Sequence, residues 1–201
     1  MPELTIQNYK VSVRLQSNPI WVKRLREIQL DQKSNPNPEW SIGKKGQSFF
    51  VLRAKRFVYV IFKNGHVNCS GIRTNDELPI CLSVLNKIVN TKEDLSPFLT
   101  TDNITASSNL QGRIVLIDFC HFLKSKGEKI HYNSERFPGA CFRTSNKACI
   151  LIFDSGKIIL TGVKKETQLR NEFEQFLKLY HEFFNLLPRS QASCNLPKGR
   201  R

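Results

Sequence analysis

The sequence predicts an α+β chain made of two diverged copies of one unit, with a curved antiparallel sheet and helices gathered on one face. Three observations carry that prediction. An apolar strand, a tight turn and a second strand occur first as Val58–Phe62, Lys63-Asn64-Gly65 and His66–Ser70, and again as Cys149–Phe153, Asp154-Ser155-Gly156 and Lys157–Thr161. Phe62, Gly65 and Gly71 recur 91 residues later as Phe153, Gly156 and Gly162, a period too long for a solenoid and suited to a duplicated half-domain with approximate two-fold symmetry. Each repeated set of strands is then followed by apolar residues at helical spacing, so the helices can cover one sheet face and leave the other open.

Taken in order, Leu4–Leu15 reads as a strand, because Val11, Val13 and Leu15 alternate. Ile6, Asn8 and Lys10 share the other alternating set, so a bulge or change of face is expected between Lys10 and Val11. Asn18-Pro19 supplies an N-cap and a first-turn proline for an amphipathic helix through Ile20, Trp21, Leu25 and Ile28, ending near Gln32. The prolines in Ser34–Glu39 break it into a loop. Strands Ser48–Ala54, Phe57–Phe62 and His66–Ser70 form a meander. Thr74–Glu77 then opens a helix carrying Leu78, Leu82, Leu85, Ile88 and Val89, with Pro79 in its first turn. After the linker Asn90–Pro97 the order repeats: strand Leu99–Leu110, helix Ile114–Lys126, loop Gly127–Arg136, strands through Thr161 and helix Thr167–Leu187. The expected divisions are residues 1–97, residues 98–187 and a basic tail, residues 188–201, whose composition predicts disorder. The terminal Lys-Gly-Arg-Arg of that tail would add nonspecific affinity for nucleic acid or stay solvated.

Composition narrows the function. A 201-residue chain with 40% hydrophobic residues can bury a full core. Its 31 Lys and Arg against 17 Asp and Glu give a formal charge of +14, which attracts a polyanion as well as favouring solubility. No apolar run approaches the roughly 20 residues of a membrane span, and Met1–Thr5 lacks the form of a signal peptide, so an intracellular soluble protein is expected. The cysteines at 69, 81, 120, 141, 149 and 194 contain no C-x-x-C pair and are read as reduced apolar residues, with no metal and no cofactor. Cys141 follows Phe137-Pro138-Gly139, yet no sequence feature supplies it with a histidine partner or an oxyanion site; an enzyme is not expected.

Alternation leaves apolar residues on both faces of each later strand: Ile150 and Ile152 against Cys149, Leu151 and Phe153 in one, and Ile158 and Leu160 against Ile159 and Thr161 in the next. One face goes beneath helices. The second must meet nucleic acid, another protein or a further layer of the chain.

Phe137-Pro138-Gly139…Arg143, Ile152-Phe153-x-Ser155-Gly156-Lys157…Leu160-Thr161-Gly162 and the strand-opening Gln7-Asn8 resemble the TATA-binding protein core. The resemblance runs from Leu4 to about Leu187, close in the second half and in outline in the first; length, charge and the short N-terminus suit a bare core domain. It implies a saddle with helices on the convex side and a concave underside on a widened minor groove, a family from which wedge-driven kinking is itself described. The second-half wedges fall on Phe137, next to Pro138, and on Phe153; one first-half wedge falls on Phe62. The other falls on Gln47 when counted back from Arg53, unless a bulge brings Phe49 or Phe50 into place.

The family's central asparagines correspond to Asn8 and Asn103, whose amides suit the A N3 and T O2 acceptors. Residues that pack on sugars correspond to Thr105, Leu151, Ile159 and Thr161, with Lys10, Val60, Asn68 and Ser70 as first-half counterparts. Lys10 and Asn68 depart from the family pattern and make that half more polar. Glu135 and Arg136, in the stirrup before Phe137, correspond to a surface for a B-like general transcription factor, of which only the acid Glu135 is retained. The resemblance further implies A-like and B-like factors and double-stranded A·T-rich DNA as partners, no membrane, and a monomer on DNA with a weak homodimer as a further state. The nucleus, or the site of viral transcription, is the implied location. Two functions follow: a transcription initiation factor that bends promoter DNA, or a protein-interaction module of the same fold with weakened DNA binding. Gln47, Lys10 and Asn68 favour the module, while the phenylalanines and both asparagines favour the DNA binder.

Overall fold

A computed structural model describes residues 2–15, 19–31, 40–43, 49–91, 94–110 and 112–186. Gln47, Asn18, Cys194, the loop Ser34–Glu39 and the tail from 188 lie outside the described residues. Backbone contacts divide the chain into two units, one over residues 8–103 and the other over residues 2–7 with 104–186.

The first unit carries β1 (Thr5–Arg14) from Asn8 onward, α1 (Pro19–Asp31), β2 (Trp40–Gly43), β3 (Phe49–Ala54), β4 (Phe57–Phe62), β5 (His66–Ile72) and α2 (Glu77–Val89). Its strands pair antiparallel in the order β2-β3-β4-β5-β1. The register of β1 against β5 shifts between Tyr9 and Val11, the bulge expected at that point. Pro19 opens α1 as its fixed φ favours, and Trp21, Leu25 and Ile28 form its buried stripe. At the start of α2, the Arg73 N–H donates to Glu77 Oε2 (2.8 Å), satisfying a donor just before the helix, and Glu77 also pairs with Arg56. Asn90 ends the helix in the left-handed conformation.

The second unit repeats this plan with β6 (Thr100–Asn109) from Ile104 onward, α3 (Leu116–Ser125), β7 (Lys129–His131), β8 (Gly139–Arg143), β9 (Cys149–Phe153), β10 (Lys157–Val163) and α4 (Glu166–Leu186). Its strands pair in the order β6-β10-β9-β8-β7. Beneath its helices lies an aromatic cluster: Phe119 of α3 meets Phe183 at 5.1 Å and Phe176 at 6.1 Å, both edge-on. The buried Glu172 of α4 accepts from Asn146 Nδ2 (2.7 Å) and ties the helix to the β8–β9 turn.

The duplication extends to backbone detail. Gly65 and Gly156 each close their turn, donating to Phe62 O (2.9 Å) and Phe153 O (3.0 Å), and each carbonyl accepts an N–H, from Leu15 (2.8 Å) and Leu110 (2.9 Å). Both have a φ of 84°, and a Cβ would lie 2.5 Å from Leu15 O or 2.1 Å from Gly112 O, so only glycine fits.

Three expectations are corrected. The stretch Gly127–Arg136, expected as a loop, contains strand β7, and β2 adds a further strand to the first unit. Both are three- or four-residue edge strands, too short for alternation to register and stabilised by the ladder of the neighbouring strand. Helix α3 begins two residues later than expected, because Val115 is extended (ψ 95°) and serves as the N-cap.

Candidate nucleic-acid interface

Burial alternates along β3, β4 and most of β10 and identifies the face under the helices. In β4, Phe57, Tyr59 and Ile61 are buried while Val58, Val60 and Phe62 are half-buried. The Tyr59 hydroxyl donates to Cys81 O on α2 (2.8 Å), so the Tyr59 side is the helix side. Burial pushes its phenol well above the ordinary range, keeping it a neutral donor. In the second unit Phe142, buried, meets Phe176 of α4 at 6.4 Å, so Leu151, Phe153, Ile159 and Thr161 point the other way.

The open face of the first unit brings Val60, Phe62, Asn68 and Ser70 together through direct strand pairing: Val60 opposite Asn68, and Val58 opposite Ser70. Asn8 joins them, its Oδ1 accepting from the Gly71 N–H (2.7 Å). That bond fixes the amide orientation and leaves the NH₂ as the group Asn8 offers a ligand. Asn103 is half-buried on β6. On this face too, His66 Nε2 lies 3.0 Å from Asn68 Oδ1, and its ring meets Phe62 at 5.9 Å.

In the second unit Leu151 stands between Cys141 and Ile159, and Ile159 between Leu151 and Ser107. The hydroxyls of Thr105 and Thr161 lie 3.1 Å apart. Phe137 is 41% exposed and meets Phe153 edge-on at 5.8 Å. Pro138, Glu135 and Arg136 are exposed on the bend before β8, where Asn133 Oδ1 accepts from the Glu135 N–H (3.1 Å) and Asn133 O from the Phe137 N–H (3.0 Å). Glu135 and Arg136 therefore stand beside the ring pair rather than on the strand face.

The first unit has a ring pair of its own, drawn from a different position of the strand. Phe49 is the direct cross-strand partner of Phe62, ring centroids 5.9 Å apart, and the β3–β4 register runs without a break from Phe49 to Ala54. No bulge is needed, and Phe50 is buried on the helix side. In the second unit the residue opposite Phe153 is Gly139, and the ring comes from two residues further back, Phe137. Position 49 thus supplies the ring that Gln47 cannot. Sequence held the signal, because counting outward from the tight Ala54–Phe57 turn pairs Phe49 with Phe62.

The five described cysteines are free thiols. Cys141 Sγ and Cys149 Sγ on adjacent strands are 3.3 Å apart, and burial, with the contact to Cys141, pushes the Cys149 thiol up to about 11. Among the described residues no cluster of His, Cys, Asp or Glu could hold a metal ion, and no helix is long and apolar enough to cross a membrane.

Residues 99–183 match the family of transcription factor TFIID (or TATA-binding protein, TBP). The TATA-box-binding protein of Sulfurisphaera tokodaii is 30% identical over 173 residues, 83% of this chain and 80% of the relative. The chain belongs to the TATA-box-binding protein family. A second family member, from Sulfolobus acidocaldarius, is 31% identical over 145 residues, covering 69% of this chain and 70% of its own. The solved structure of Methanococcus jannaschii TBP superposes with a TM-score of 0.63 at 24% identity, covering 90% of this chain and 99% of that one. The fold is that of the TATA-box-binding proteins, α+β with helices on one side of antiparallel strands.

Proposed function

We propose that this chain is a transcription initiation factor that binds and bends the minor groove of A·T-rich promoter DNA and recruits general transcription factors. The observation that carries the reading is the ring pair on the open face of each unit, Phe49 with Phe62 and Phe137 with Phe153. Apolar rings held against each other at a strand end, beside a floor of small and branched side chains, suit insertion between base steps. Unstacking costs about a few kcal/mol per step, and the bent duplex offsets it with added contact. Asn8, its oxygen engaged by Gly71, turns an amino group toward the A N3 and T O2 acceptors. The excess of basic residues supplies phosphate neutralisation. The role is non-enzymatic, played by a monomer on DNA in the nucleus or at a site of viral transcription. The stirrup with Glu135 and Arg136 offers a surface to a B-like factor, altered in charge from the family pattern.

The protein is titrated onto short A·T-rich and G·C-rich duplexes with end-to-end fluorophores at several salt concentrations. Bending with A·T preference, lost in Phe137→Ala and in Phe153→Ala, is expected. Absence of duplex binding at low salt sinks the reading. A second reading, the protein-interaction module, draws on the polar Lys10 and Asn68; it expects transcription-factor capture to persist in the Phe137→Ala, Phe153→Ala double variant.

A further inference from the structure

We propose that the two halves read different base pairs: Asn68, held by His66, accepts a hydrogen bond from the 2-amino group of guanine and admits a G·C pair that the second half excludes. The inference rests on the minor-groove reading above and assigns a specificity-determining role to a residue outside the family pattern.

The floor of the minor groove presents only acceptors at A·T and T·A pairs, whereas G·C adds one donor, the guanine 2-amino group. An apolar side chain over that donor leaves it dry and unpaired, which disfavours G·C. The second unit has this construction. Ile159 is flanked by Leu151 and Ser107, and the Ser107 hydroxyl oxygen already accepts from Gln7 Nε2 (2.9 Å).

The corresponding place in the first unit is built differently. Asn68 is flanked by Val60 and Ser12, and the Ser12 hydroxyl donates to Asp102 Oδ1 (3.1 Å). His66 Nε2 stands 3.0 Å from Asn68 Oδ1 and packs on Phe62, so the amide is steadied against the ring pair. If Nε2 carries the proton it takes one lone pair of the amide oxygen and leaves the other. If it does not, the amide turns to donate its N–H and both lone pairs stay free. An acceptor is present on the open face in either tautomer.

Inosine isolates the chemistry, since an inosine·C pair lacks only the 2-amino group. Each position of an A·T-rich duplex is replaced in turn by G·C and by inosine·C, and affinity for the full chain is measured at fixed salt. For the unaltered protein, G·C and inosine·C should bind equally on one side of the site and differ by about tenfold on the other. Asn68→Ile should impose the tenfold penalty on the tolerant side, and Ile159→Asn should relieve it on the opposite side. An Asn68→Ile protein that binds A·T duplex yet shows no new penalty overturns the inference while leaving the DNA reading standing. Failure of the unaltered protein to bind any A·T duplex at low salt removes both.

Discussion

Gly139 shows how a single side chain's absence shapes the proposed interface. A Cβ there would lie 2.9 Å from Phe137 Cε1 and 3.1 Å from Phe153 Cε1, so with any side chain at 139 both rings would have to shift. Gly139→Ala is expected to separate the rings and reduce DNA bending, read by end-to-end fluorescence, while thermal unfolding stays within about 2–4 °C. In the first unit the same contact depends on Phe49. Phe49→Ala and Phe137→Ala should each weaken duplex binding by about 1–3 kcal/mol, whereas Gln47→Ala should leave affinity within experimental error. Equal losses at 47 and 49 would contradict the pairing. Cys149 gives a pH signature. Its thiol is held above the ordinary 9.0, up to about 11, mainly by burial, so the folded state favours the protonated form. That contribution is complete below pH 9 and is lost as pH rises through about 11. Urea titrations at stepped alkaline pH should show stability falling across that window, less steeply in Cys149→Ala.

At the scale of elements, each helix pair is fastened to its strands by one buried phenol as well as by apolar packing. Tyr59 of β4 donates to Cys81 O of α2 (2.8 Å), and Tyr180 of α4 donates to Leu110 O after β6 (3.3 Å). Tyr59→Phe keeps the ring and leaves the carbonyl without that donor. It should cost about 1 kcal/mol in urea denaturation, with the slope unchanged. The helices also account for the inequality of the strand faces. Ile150, Ile152, Ile158 and Leu160 are fully buried, whereas their neighbours Leu151, Phe153 and Ile159 keep partial access to solvent. Apolar residues with that access are what a minor-groove floor requires.

For the whole molecule, the charge of +14 sets how binding responds to salt. The logarithm of affinity should fall linearly with the logarithm of salt concentration, the slope counting phosphates neutralised. Arg53 and Arg143 are exposed at matching places on β3 and β8. Arg53→Ala or Arg143→Ala should reduce the slope by about 1 each without changing A·T preference. A shift in preference would mean that these side chains read bases rather than backbone.

The sequence by itself determined the duplication, the α+β class and most elements, because alternation, helical spacing, prolines and turn glycines act within a few residues of each other. The repeat also paired Phe62 with Phe153, and the resemblance nominated Phe137, Asn8 and Asn103. Tertiary structure decided what depends on a neighbouring strand: the short edge strands β2 and β7, the face covered by helices, the His66–Asn68 contact and the partner of Phe62. The last of these marks the boundary. Alignment to Arg53 counts along one strand and reaches Gln47, whereas the ring beside Phe62 is fixed by hydrogen-bond register across two strands, and that register selects Phe49.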